Sequence, residues 1–479
     1  MKRMLLTAAL YALCIGQFVA ARSLHSAESA SPVKITLHPA AEPTPALKYR
    51  LLPERLDQKP GNAAVHYGKV TAEERVFFGN REHLERIEAI LEMPLDLLRR
   101  EGFHVPAGGP EAHIQADIRR GTHCRDCDWQ LPIGDGPYYG MLLPEVQQIR
   151  EFARILGAQS RYEVAHGDFD AAVETFQSGF ALGGHVAEGE TLVNGLVGIA
   201  CCEIITRQIL DYVQQPGAPN LYWALTMLPR PLIEMNDALD VESQGLEHSF
   251  PELKDVETVQ RTPDEWREVF HRFASDAMKQ MSVDRRSDSL AEQAKSRAEL
   301  DDICEKMLPV AKRALIDGGM PAAQIEAMPT HQVALLYTRA AYHRLFDAAT
   351  KYYTLPYPDA IVGIEKTIAD SQRDDAQMRE IVPLARHTLG AVKVTRMAIE
   401  RNDRQIATLR VIEALRLYAG AHDGQLPKQL SDIIEVPIPD DPVTGLPFEY
   451  KLDEGAARLS GPTFREVPLN YEITMARSE

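Results

Sequence analysis

Residues 146–182 read VQQIREFARILGAQSRYEVAHGDFDAAVETFQSGFAL, and this stretch decides for a helical architecture. Val146, Ile149, Phe152, Ala153 and Leu156 recur at steps of three and four with charged and polar residues between them, which puts one apolar face on a helix of 3.6-residue period. After Leu156-Gly157 and Tyr162 the pattern breaks at Gly167-Asp168-Phe169-Asp170 and resumes at Ala172, Val173, Phe176 and Leu182. Gly167 supplies a tight turn, and the small Ala172 lets a second helix lie close against the first. Two helices joined by a tight turn are expected here.

This unit resembles a tetratricopeptide hairpin over about 150–184, whose signature has a Gly-Asp-Tyr-like turn followed by small and aromatic positions. It departs from that pattern at Glu163 and Gly179, and no second copy follows at the expected period. Helical periodicity extends outward in both directions, from Asn62 to about Arg404. Pro216-Gly217-Ala218-Pro219 punctuates it as a loop, with Asn220 placed to cap the segment that follows. Ala291 to Asp317 reads as a long helix carrying Pro309 and stopped by Gly318-Gly319. Thr330 is read as the cap of another, with Val333, Leu336, Tyr337 and Phe346 on one side. Stacked helices of this kind form a helical solenoid or an irregular helical bundle.

The flanks differ in character. Residues 22–61 are rich in Ser, Ala and Pro, with short extended runs at Val33 to Leu37 and Tyr49 to Leu52, and are read as an extended arm. Residues 405–479 are read as a small α+β tail. An amphipathic helix from Ile406 to Gly420 leads through Gly424-Gln425-Leu426-Pro427 and Asp441-Pro442-Val443-Thr444-Gly445 to a β-hairpin carrying Phe448 and Tyr450. Over about 405–460 this order resembles the globular head of type II secretion pseudopilins, although no prepilin cleavage site precedes it. Pseudopilin heads bind calcium, which makes Asp432, Asp440 and Asp441 the acidic residues to watch. With the Tyr49-Arg50-Leu51-Leu52-Pro53 arm and the Cys127-Asp128-Trp129 segment, the chain resembles a class of exported helical proteins from planctomycete-type bacteria to which no activity is assigned.

The export reading comes from the first residues. Lys2 and Arg3, an apolar core from Leu5 to Val19, and Val19-Ala20-Ala21 read as a Sec-type signal peptide over 1–21. The expected location is periplasmic, envelope-associated or secreted, with no membrane insertion after cleavage. The whole chain has 479 residues, 45% of them hydrophobic, and a formal charge of −17. Loss of Lys2 and Arg3 makes the mature chain two units more acidic. So acidic a surface excludes nucleic acid as a partner, because phosphate binding depends on Lys and Arg displacing counterions.

Five cysteines follow the signal. Cys201, Cys202 and Cys304 lie among apolar helix positions and read as small core residues. Cys124 and Cys127 form a CxxC that offers a disulfide, or with His113 and His123 a set of metal ligands. A His after the second Cys, needed for covalent haem, is missing. No Gly-x-Ser-x-Gly elbow, His-Glu-x-x-His or Walker lysine appears. No cofactor is therefore expected. The expected function is an exported, non-catalytic helical interaction or scaffold protein of the cell envelope whose partner is a protein or peptide. The alternative is an exported thiol- or metal-dependent enzyme using the His123–Cys127 loop.

Overall fold

The computed structural model describes residues 31–101, 110–134, 136, 138–141, 143–282, 297–373, 383–464 and 467–476. The signal read at 1–21 lies outside them. The chain divides into two compact units, one comprising Leu24–Gln130, Pro144–Met235 and Met397–Glu479 and the other Leu131–Leu143 and Asn236–Arg396.

The first unit opens with β1 (Val33–Leu37), β2 (Lys59–Asn62), α1 (Ala63–Glu73), α2 (Arg75–Gly79), α3 (Arg81–Glu92), α4 (Leu95–Glu101), α5 (Pro110–Thr122) and β3 (Cys124–Asp126). Three long helices follow, α6 (Pro144–His166), α7 (Phe169–Ala187) and α8 (Leu192–Tyr212), then the short α9 (Tyr222–Thr226). The expected hairpin is α6 and α7. Gly167 takes φ of 77°, a left-handed value that a side chain resists, and Asp168 caps α7 by accepting from the Ala171 amide at 3.4 Å. α8 is long and apolar enough to cross a membrane by composition, yet 89% of that window is buried inside the protein. It packs on α7 at backbone distance: a Cβ on Gly183 would come within 2.9 Å of the Gly198 carbonyl.

The second unit holds α10 (Asn236–Ser249), α11 (Pro263–Ser282), α12 (Arg297–Asp317), α13 (Ala322–Ala327), α14 (Thr330–Thr350) and α15 (Tyr357–Arg373). Its core joins Leu246 of α10 and Phe250 just beyond it, Trp266, Phe270 and Phe273 of α11, Leu300, Met307 and Leu315 of α12, and Val333, Leu336 and Tyr337 of α14. Pro309 is accommodated inside α12. Thr330 proves to be the first helical residue of α14, with Pro329 at the cap position, so the cap read at Thr330 shifts by one residue.

The long helix α16 (Pro383–Ala421) contributes residues to both units. Its segment beyond Met397 belongs to the first unit and is not the amphipathic helix expected from 406 to 420. It is buried nearly all round, polar residues included, with Glu413 and Arg416 both at 0% exposure. Glu413 accepts from Arg416 Nη1 at 2.8 Å, Asn220 Nδ2 at 2.7 Å and the Leu221 amide at 2.9 Å, while Arg416 donates to the Ala218 and His38 carbonyls. Removing one member of such a buried pair costs about 3–5 kcal/mol, because its partner charge is stranded.

The tail is a small α+β region, as expected, but it carries more than one hairpin. Beyond the short β4 (Asp440–Asp441) and β5 (Leu446–Pro447), β6 (Glu449–Asp453), β7 (Ala456–Phe464) and β8 (Val467–Met475) form an antiparallel meander, and β1 of the arm adds in parallel along β8. Ile35, Leu459 and Ile473 line its buried face.

Candidate metal centre

The Thr262-Pro-Asp-Glu265 sequence starts α11 with a capping box. The Thr262 amide donates to Glu265 Oε2 at 2.7 Å, and the Glu265 amide to Thr262 Oγ1 at 3.3 Å. From there Trp266, Val269, Phe270, Phe273 and Ala277 form the buried face, and His271 follows directly on Phe270 at its edge. On α12 the buried residues Leu300, Cys304, Met307, Ala311 and Leu315 form the corresponding face, and Asp301 follows Leu300 at its edge. His331 stands in the first turn of α14, two residues before the buried Val333. Three helices packed by their apolar faces thus bring three flanking polar residues together.

Their ligand atoms lie within 4.8 Å of one another, and this is the one such group of three among the described residues. The Nε2 atoms of His271 and His331 stand 2.8 and 3.0 Å from the same carboxylate oxygen, Asp301 Oδ1. The two rings are nearly perpendicular, at 83°, and Phe270 packs 5.5 Å from the His331 ring. Arg267, one turn before His271, grips the carboxylate chiefly by the other oxygen: its Nε is 3.0 Å from Asp301 Oδ2 and 3.2 Å from Oδ1, and Nη2 also donates to Oδ2. That guanidinium, aided by the two imidazoles against the opposing effect of burial, keeps the Asp301 carboxyl far below the usual carboxylate range. His271 is 5% exposed, His331 16% and Asp301 17%, so the cluster is lined by protein yet open to solvent on one side. His271 Nδ1 is buried without a hydrogen-bond partner.

Two imidazoles and one carboxylate from three elements form a donor set that divalent transition metals take, with further positions left for water or substrate. Cis ligands around an ion about 2.1 Å away lie about 3–3.5 Å apart, close to the spacings found between Asp301 and each histidine. Cys304, one turn after Asp301, is outside the set. Burial pushes its thiol up to about 12, and its Sγ rests 3.8 Å from the Thr330 carbonyl.

The residues read as ligands from the sequence are arranged differently. His113 is exposed on α5, and His123 lies next to the end of that helix with its Nδ1 2.9 Å from the Arg119 carbonyl. Cys124 and Cys127 are buried free thiols, so the structure does not join them as a disulfide, nor does it group either with His113 or His123 as metal ligands. Burial raises both thiol pKa values, Cys127 the more, with Glu188 adding to it. Around them, His185 Nδ1 is 2.9 Å from Tyr67 Oη, Trp129 Nε1 donates to the His185 carbonyl at 2.7 Å, and the Cys127 amide donates to Glu188 at 2.9 Å. Burial lowers the His185 pKa to about 4. Cys201, Cys202 and Cys304 are core residues, as expected. Of the acidic residues considered for calcium, Asp441 is buried and committed to Arg404 at 2.8 Å, and Asp432 binds the Gln429 amide at 3.1 Å.

The His271–Asp301–His331 group escaped the sequence reading because its members stand 30 residues apart in each step. The available signal was positional: each polar residue sits beside an apolar stripe. Comparison with known proteins adds no assignment, since no family model, curated protein or solved structure matches the chain.

Proposed function

We propose that this chain is an exported metal-dependent enzyme whose centre is His271, Asp301 and His331 rather than the His123–Cys127 loop. The observation that carries the reading is the meeting of two imidazole nitrogens on one carboxylate oxygen, at 2.8 and 3.0 Å. Zinc is the first candidate, because nitrogen and carboxylate donors from three side chains with solvent access match open zinc sites. The ion supplies a Lewis acid for an oxygen-bearing substrate. The protein's part is to hold the donors: Arg267 aims the carboxylate by gripping Oδ2, and Phe270 packs against the His331 ring. Export rests on the residues of the signal segment, and the resemblance to planctomycete-type exported proteins is part of the same proposal.

The scaffold reading draws on the α6–α7 hairpin, whose Gly167 turn suits a stacked helical pair. The two readings part on metal binding. Chelator-treated full-length protein, titrated with zinc by calorimetry, is expected to bind one equivalent. Asp301→Asn is expected to weaken that binding by more than about a hundredfold, since even indirect partners of metal ligands are worth about 10–100-fold. Folding of the variant is checked by circular dichroism. Absence of stoichiometric binding, or binding that survives Asp301→Asn and His331→Ala, overturns the metal reading and returns the weight to the scaffold.

A further inference from the structure

A second site, independent of the metal centre, lies within the first unit, and a contrast along α16 marks it. Four arginines stand on the part of that helix beyond Met397. Three have carboxylate partners: Arg401 grips Glu203 through two bonds of 2.7 Å, Arg404 binds Asp441 at 2.8 Å, and Arg416 binds Glu413 at 2.8 Å. The fourth, Arg410, is 5% exposed and forms no ion pair among the described residues. Its Nε donates to Thr226 Oγ1 at 2.9 Å and its Nη2 to Tyr222 Oη at 3.2 Å, with its guanidinium carbon 5.3 Å from the centre of the Tyr222 ring. These partners are neutral. Two hydroxyl oxygens and a ring face stabilise a cation in part, but burying a charge without a counter-charge is costly.

A second arginine deepens the imbalance. Arg230, in the loop after α9, is exposed, its side chain forms no hydrogen bond or ion pair among the described residues, and its charge adds to burial in pushing the Arg410 pKa down. Asp403, Glu413 and Glu435, on the adjoining elements, are committed elsewhere. Asp403 accepts from the Leu232 amide at 3.2 Å, Glu413 holds Arg416, and Glu435 accepts from the Ile434 amide at 3.0 Å and lies 3.6 Å from His422 Nδ1. The hydroxyl protons are used as well: Thr226 Oγ1 donates to the Tyr222 carbonyl at 2.7 Å, and Tyr222 Oη to the Pro437 carbonyl. That leaves Arg410 Nη1, which makes no hydrogen bond and is not sealed from solvent, as the donor free to meet a ligand beside Arg230.

The geometry points to a doubly charged tetrahedral oxyanion, a sulfate or phosphate group, as the ligand of Arg410 and Arg230. Two guanidinium groups from different elements carry two uncompensated charges, and guanidinium N–H donors match the oxygens of such a group. A single carboxylate neutralises only one of them, and a neutral polar ligand neither. The free ion and the charged end of a larger molecule share this chemistry, and the test separates them.

Full-length protein is titrated by calorimetry at pH 8 and low ionic strength with sulfate, phosphate, methyl phosphate, methyl sulfate and acetate. Sulfate or phosphate is expected to bind one equivalent at least about tenfold more tightly than methyl sulfate or acetate, which carry one charge each. Methyl phosphate keeps both charges: binding equal to that of phosphate assigns the site to the end of a larger molecule, and binding about tenfold weaker assigns it to the free ion. Arg230→Gln, an exposed change, is expected to lower affinity for the dianion about tenfold, while the thermal midpoint in anion-free buffer stays level or rises because a like charge is removed from beside Arg410. Sulfate stabilises folded proteins in general by exclusion from their surface, so the thermal shift it causes is read as the difference between the native chain and this variant. The proposal is overturned if neither dianion binds at millimolar concentration, if acetate or methyl sulfate binds as tightly, or if Arg230→Gln binds the dianion unchanged. The metal centre shares no residue with this site, so zinc affinity should be the same in Arg230→Gln and in the native chain whichever way the anion titrations fall.

Discussion

The His185 neighbourhood and the His271–Asp301–His331 group are built from similar residue types and are suited to opposite tasks. In the first, the imidazole meets the hydroxyl of Tyr67 and the backbone of Cys124, the adjacent thiols are buried, and desolvation keeps His185 neutral and Cys124 and Cys127 protonated. In the second, an ionised carboxylate held by Arg267 meets two histidines at the edge of a helical core. A motif compact in sequence can be buried out of reach of chemistry. Residues remote in sequence can be assembled for it. Proximity along the chain says little about solvation, and solvation decides whether a thiol or imidazole is available as a base, nucleophile or ligand.

The largest effect expected from this contrast is on thiol reactivity. The thiolate is the reactive form, and burial pushes Cys201 and Cys304 up to about 12 and Cys127 beyond them. At pH 8 in the native fold, alkylation of Cys127 by iodoacetamide should run at least about a hundredfold slower than in urea. Mass spectrometric mapping reads this site by site. Rapid native labelling of Cys127 would break the comparison and restore the loop as a chemical element.

The pH dependence of stability sharpens it next. His185 has a folded pKa of about 4 against an ordinary value of 6.5, so between those limits the unfolded chain holds a proton that the folded chain refuses. Stability therefore falls as pH is lowered through that window, by an amount on the order of 3 kcal/mol, and gains nothing from this group above it. Other buried carboxyls, Glu188 among them, titrate nearby with raised pKa values. The reading is thus the difference between the native chain and the double variant Tyr67→Phe/His185→Leu, which replaces the phenol and the imidazole with apolar groups and leaves the Cys124 backbone in place. Urea unfolding at pH 7 and pH 4.5 should show the native chain losing more stability than the variant. Equal losses would mean that His185 is hydrated and able to take a proton in the folded state.

Much of the fold was legible because it rests on local periodicity. The α6–α7 hairpin, the stop of α12 at Gly318-Gly319 and the helical run between the flanks all follow from three-and-four spacing and from Gly and Pro. The tail was legible only in part. Leu469, Tyr471, Ile473 and Met475 alternate as a strand should, yet β8 has no local signal of its pairing, because its parallel partner β1 lies at the far end of the chain. Periodicity misled in α16, where the segment Ile406 to Gly420 reads as amphipathic, while Arg410, Glu413 and Arg416 within it, and Arg404 before it, are buried and hydrogen-bonded, a state that only tertiary partners such as Asn220 and Asp441 make possible. The candidate group His271–Asp301–His331 was illegible for the same reason: nothing local relates residues 271, 301 and 331.

The smallest expected effect tests what Arg267 does. A guanidinium beside Asp301 can act on a metal in two ways, by repelling the cation and competing for the carboxylate, or by holding Oδ2 so that Oδ1 faces the histidines. Arg267 is 49% exposed, so its charge is screened by water and salt and its repulsion is weak. Its geometric hold is local and unscreened, with Nε 3.0 Å from Oδ2 and 3.2 Å from Oδ1. Orientation should therefore win, and Arg267→Gln is expected to lower zinc affinity about tenfold, the lower end of what indirect partners of metal ligands contribute. Arg267→Lys, which keeps the charge but loses the fork, should behave like the Gln variant. If affinity instead rises on Arg267→Gln and is restored by Lys, the guanidinium is a competitor, and the triad with its arginine is an ion pair that a metal has to displace.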